Sequence, residues 1–193
     1  MKSLRFVLSV VLMSLTTVAF AQSDAHKMAE PKAPAPKSEA QTSFDAMKTL
    51  AGEWEGPVTV PEMPEMSGGK PMHLSLRVTS RGNALVHEFQ EAGTPLDATK
   101  YDHPVTMLYV DREQLTLVHY CDAGNRPRMV ARAAGDGKSV EFDFVDLAGG
   151  TVYGHMHHAV FNFGDADHHT EDWTYMMPGD KPMHAHFDLQ RVK

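Results

Sequence analysis

Cysteine is nearly absent from this chain of 193 residues: Cys121 is the only one. No internal disulfide can form, so the core alone must hold the fold together. Clusters of basic residues are missing too. With 18 Lys and Arg against 25 Asp and Glu, the formal charge is −7, a balance that excludes the basic footprint of a nucleic-acid or anionic-membrane binder. Catalytic signatures are also lacking. There is no G-x-S-x-G, no H-E-x-x-H, no C-x-x-C and no glycine-rich phosphate loop between a strand and a helix, which puts a binding protein ahead of an enzyme. Finally, no helical pattern beyond residue 52 is long enough for a βαβ crossover, so any sheet must be antiparallel.

The first 21 residues read as a secretory signal. Lys2 and Arg5 supply a positive start, Phe6 to Phe20 is apolar apart from scattered Ser and Thr, and Ala19-Phe20-Ala21 provides the small-residue cleavage pattern. The run is too short for a membrane span, and no Cys follows it for lipid attachment. The expected mature chain starts at Gln22, carries −9 once Lys2 and Arg5 are removed, and is periplasmic or secreted. Residues 22–42 interleave Pro31, Pro34 and Pro36 with Ala and with Lys27, Lys32 and Lys37. This composition predicts a disordered linker.

The folded domain is expected over residues 43–193. A short helix opens it, capped by Thr42 or Ser43, with Asp45 in its first turn and Phe44, Met47 and Leu50 on one face. After it, period-two alternation predicts ten strands, near 53–60, 71–79, 84–92, 104–111, 115–122, 128–134, 139–147, 154–163, 168–177 and 182–192. Turn residues separate them, among them Arg81-Gly82-Asn83, Gly124-Asn125, Gly135-Asp136-Gly137, Gly164-Asp165 and Pro178-Gly179-Asp180. Hairpin-linked strands in an open sheet would leave two bare edges, and closing the sheet removes them. The predicted fold is therefore an all-β, ten-stranded up-and-down barrel.

Leu50-Ala51-Gly52-Glu53-Trp54-Glu55-Gly56 resembles the Gly-x-Trp signature on the first strand of lipocalin-like (calycin) barrels. In that family an Arg on the last strand packs over the Trp, and the resemblance gives Arg191 this structural role beside Trp54. The chain is also similar to nitrobindin-like haem barrels, which have ten strands and a short N-terminal helix. Thr116 to Met129 and His155-Met156-His157 look like an uncharacterised group of secreted bacterial lipocalin-like domains. The resemblance covers residues 43–193. It implies a closed barrel that holds a small molecule, with haem as one candidate.

Alternation also sorts the faces. Leu115, Leu117, His119 and Cys121 share one; Val140, Phe142, Phe144 and Asp146 another; His155, His157, Ala159, Phe161 and Phe163 a third. The apolar members should point inward and carry His119, Cys121, His155 and His157 with them. His73, His184 and His186 should point out. Up-and-down topology then gathers His119, Cys121, Arg128, Asp146, His155, His157, Tyr175 and Met183 at the end opposite Trp54 and Arg191, with His87, Glu171 and Trp173 deeper. A bulge would upset this sorting, because one extra residue reverses every later side chain.

Three readings follow from the convergence. The leading one is a small-molecule site formed by His119, Cys121, Arg128, Asp146, His155, His157, Glu171, Trp173 and Tyr175. The second is a divalent-metal site on His155 and His157, about 7 Å apart at Cα on one strand face, with His119, Cys121 or Glu171 as a third ligand, or a haem on one interior His. Met63, Met66, Met72 and His73, and again Met176, Met177 and Met183 beside His184 and His186, also match Cu(I)-handling composition, although Met fills cores and loops in general. The third is a ligand-free structural domain of the cell envelope.

Overall fold

A computed structural model describes residues 36–132 and 137–192. The expected signal segment, most of the linker and the Gly135-Asp136 turn lie outside the described residues.

The domain opens with helix α1 (Glu39–Lys48). It starts four residues before the expected Ser43, because Ser38 is the cap: its side chain accepts from the Gln41 N–H at 3.1 Å. Residues 39–42 therefore belong to the helix rather than to a linker. Their polar composition hides the periodicity, yet Ala40, Phe44 and Met47 form one buried stripe at i, i+4 and i+7. That stripe packs α1 against two strands of the barrel described below.

Eleven strands follow: β1 (Gly52–Gly56), β2 (Val58–Thr59), β3 (Met72–Thr79), β4 (Ala84–Glu91), β5 (Val105–Asp111), β6 (Gln114–Tyr120), β7 (Arg126–Ala131), β8 (Ser139–Ala148), β9 (His155–Phe163), β10 (His168–Met177) and β11 (Lys181–Arg191). The first two are halves of one predicted strand, interrupted at Pro57, which has no N–H to donate. Every neighbouring pair from β3 to β11 is antiparallel in sequence order, and β1 bonds both β3 and β11. The result is the expected closed, ten-stranded barrel, in which every strand pairs on both sides. The helix lies against β5 and β6.

The closed end is built around Trp54, which is fully buried. Its indole N–H donates to the Leu50 carbonyl at 2.8 Å, and the Arg191 guanidinium lies 4.0 Å from its ring centre, as the sequence resemblance implied. Arg191 donates to the carbonyls of Ala51 and Ala166 as well. Gly52 is the residue that makes room. A Cβ there would stand 2.2 Å from Arg191 Nη1, and its φ of +142° is one that favours glycine. From this end a core of Leu74, Leu76, Leu85, Leu108, Leu117 and Phe142 fills the barrel upward.

Candidate functional site

The apolar filling is interrupted halfway by a buried polar cluster. In β10, alternation aims His169, Glu171, Trp173 and Tyr175 at the barrel axis. Glu171 is 2 % exposed and accepts three hydrogen bonds: from His87 Nε2 at 2.9 Å, His169 Nε2 at 3.1 Å and Trp173 Nε1 at 2.9 Å. A carboxylate only accepts, so both imidazoles carry their proton on Nε2. Burial drives the Glu171 carboxyl upward, but the charges and hydrogen bonds of His87 and His169 outweigh it and hold the group below the ordinary carboxylate range. His169 also meets Trp54 edge-on at 4.3 Å, which links the cluster to the closed end. His87 and Glu171 were legible in the sequence as deep residues; His169 was not singled out, although it shares the Glu171–Trp173 face by the same period of two.

Above Trp173 the interior opens into a cavity of about 310 Å³. Its wall combines Phe89, His119, Met156, Trp173, Tyr175 and Met183 with Cys121 and, at the rim, Asp102 and Asp122. His119 is 1 % exposed. Its Nδ1 is 2.8 Å from the buried Thr106 hydroxyl, and its Nε2 has no hydrogen-bond partner among the described residues. Burial pushes its pKa down to about 3, with repulsion from His87 adding to the effect. The ring is therefore neutral at ordinary pH, and the Thr106 hydroxyl satisfies Nδ1 in either tautomer, accepting from it or donating to it. Burial raises the Cys121 thiol, with Asp102 and Asp122 acting in the same direction. A protonated thiol beside an imidazole committed to Thr106 gives no thiolate–imidazole pair. A second hollow of about 470 Å³ adjoins this one and shares Asp102, Cys121 and Asp122, but among the described residues no buried unpartnered polar atom lines it.

Of the expected site residues, the structure brings His119, Cys121, Trp173 and Tyr175 to this cavity, with Glu171 directly beneath through its bond to Trp173. Four others it does not. On β8, Arg128 pairs with Asp146 and Met129 with Phe144, so Val145 is an extra, unpaired residue. Asp146 is thereby thrown off the face of Phe142 and Phe144, and forms an exposed two-pronged pair with Arg128 at 2.5–3.2 Å. On β9, Thr174 faces His158 and Tyr175 faces Met156, which makes His157 the extra residue. Met156 then takes the inward place and lines the cavity, while His155 and His157 do not. β8 and β9 stop pairing beyond Asp143 and His158, and the two imidazoles lie in that fork against Phe144, 3.2 Å apart at Nε2 and Nδ1. Both corrections have one cause: a bulge shifts the period by one, and no residue type announces it.

The three-histidine metal set is likewise not assembled. Among the described residues, the donor atoms of His, Cys, Asp and Glu that lie in a set of three or more within 4.8 Å of one another are those of Glu141, Asp143 and His158. That set already holds Arg132, which ion-pairs with Glu141 and Asp143. His73, His184 and His186 point out as expected and pair with Glu53 and Glu55, Glu62, and Asp172.

No family description matches the sequence, and no curated protein matches it. Among solved structures, Rv2717c from M. tuberculosis superposes with a TM-score of 0.53 at 15 % identity, over 78 % of this chain and 98 % of that one. The likeness is one of fold. A protein of unknown function from the DUF3598 family of Nostoc punctiforme PCC 73102 gives a TM-score of 0.39 at 12 % identity, over 76 % of this chain and 48 % of that one.

Proposed function

We propose that this chain binds a small molecule in the open end of its barrel, the use of the fold that its lipocalin-like sequence resemblance implies. One observation carries the reading: a neutral, fully buried imidazole with an unpartnered Nε2 lines a cavity of ligand size. An orphaned buried polar atom costs about 1–3 kcal/mol, and a bound molecule that hydrogen-bonds Nε2 recovers that energy. Aromatic and Met side chains supply the adaptable apolar wall.

A haem on His119 is the competing reading. The donor fits, since a neutral Nε2 is what axial ligation needs. The surroundings do not, because the cavity lining holds Asp102 and Asp122 and no Lys or Arg to balance a haem's carboxylates. Export to the periplasm or beyond belongs to the same proposal and rests on the Lys2–Ala21 pattern; N-terminal sequencing of the mature protein should begin at Gln22.

The test is a ligand-observed NMR screen of small aromatic molecules, run beside native mass spectrometry for any co-purifying molecule. Hits should vanish in Met156→Trp, which fills the cavity. Absence of any hit, or hits indifferent to Met156→Trp, would reject the reading in favour of a purely structural domain.

A further inference from the structure

The chemistry of the mouth narrows the ligand further, provided that the cavity is the binding site. Charge is distributed unevenly around it. Two carboxylates, Asp102 and Asp122, stand at the rim, and neither Lys nor Arg is among the lining residues. The two are held together, because the Asp122 backbone N–H donates to Asp102 Oδ1 at 3.1 Å. Among the described residues no Lys or Arg ion-pairs with either: Arg128 is spent on Asp146 and Lys100 on Asp97, and His103 is the neighbour whose charge acts against the Asp102 carboxyl's rise. Below the rim the wall is aromatic and thioether, with Phe89, Trp173, Met156 and Met183. At the floor His119 Nε2 offers one hydrogen-bonding atom without net charge.

We propose that the cavity selects a small organic cation: an ammonium head between Asp102 and Asp122, carried on an apolar or aromatic body. Opposite charges attract across the rim, and the aromatic faces favour a cation as well. An anion would meet both carboxylates with nothing to neutralise it. Burial raises the Asp102 carboxyl and repulsion from Asp122 adds to it; a cation seated between the two carboxylates offsets that repulsion.

A matched series of equal size tests the inference on the purified protein: 2-phenylethylammonium, 2-phenylethanol and phenylacetate, compared by ligand-observed NMR titration. The amine should bind at least tenfold more tightly than phenylacetate, a difference of about 1.4 kcal/mol, and more tightly than the alcohol. The preference should shrink with salt and disappear in Asp102→Asn with Asp122→Asn, while the alcohol's affinity stays unchanged. If amine and alcohol bind equally, if phenylacetate binds best, or if the preference survives the double substitution, the charge inference is overturned and the cavity still stands as a site. If none of the three binds the wild type, the cavity reading falls with it.

Discussion

Replacing Glu171 by Leu keeps the bulk of the side chain and removes the one acceptor shared by three buried donors. His87 and His169 are 0 % exposed and Trp173 is 1 % exposed, so water cannot substitute for the lost partner. Breaking one side of a buried charged network costs about 3–5 kcal/mol. For a domain of this size each kcal/mol moves Tm by roughly 2–4 °C, so Glu171→Leu should melt on the order of 6–20 °C below wild type. Glu171→Gln should be far milder. Its oxygen can still accept from Trp173 and His87, so the loss is that of the bond to His169 and of charge assistance, about 1–3 kcal/mol. The pH dependence has a definite sign. Since the folded pKa of Glu171 is depressed, its stabilisation is complete above the unfolded Glu value of about 4.3 and fades as pH falls toward the folded one. Urea unfolding followed by Trp fluorescence should thus show wild type and Glu171→Gln converging in acid. A Glu171→Leu protein within about 1 kcal/mol of wild type would refute the account of the cluster.

Gly52→Ala should destabilise the closed end by about 2 kcal/mol or more, from the positive φ and the collision with Arg191 together; unchanged Tm and Trp emission would contradict that role. The imidazole of His119 should titrate near pH 3 in an NMR experiment. Because the unfolded ring binds a proton from about pH 6.5 downward and the folded one does not, stability should fall with pH across that window, and a midpoint near the free value would show that the ring is not buried. His155→Ala with His157→Ala should leave the affinity of any cavity ligand within a factor of about two, well under 1.4 kcal/mol, when measured by calorimetry against His119→Ala. A tenfold loss would return those residues to the site.

The barrel was legible because each strand repeats an apolar residue at every second position and ends at a turn residue. Closure could be anticipated from Trp54 and Arg191, which the sequence holds more than a hundred residues apart and the register sets opposite each other. His119, Cys121, Trp173 and Tyr175 were legible for the same reason, since their own strands carry no extra residue: at the irregularity beside Tyr175 the extra residue, His157, is on β9. Asp146, His155 and His157 were misplaced because a bulge is a property of two paired strands, visible only when the partner's residues are counted alongside; Arg128 lies off the buried face of Pro127 and Met129 by plain alternation. Asp102, Pro104 and Met66 went unremarked as cavity residues for a different reason. Met66 ends a single 3₁₀ turn (Pro64–Met66), Asp102 sits in a loop and Pro104 just before β5, where no period assigns a direction.

Val145 and His157 each occupy a place in their strand with no counterpart across the ladder. Removing either by deletion would leave every neighbouring pair matched as it is now, Met129 with Phe144 on one side and Tyr175 with Met156 on the other. A deletion elsewhere in β8 or β9 would invert the residues beyond it. These two strands can therefore shorten by one residue without changing which side chains reach the mouth, and versions of this domain that differ in length at these points should share its ligand specificity.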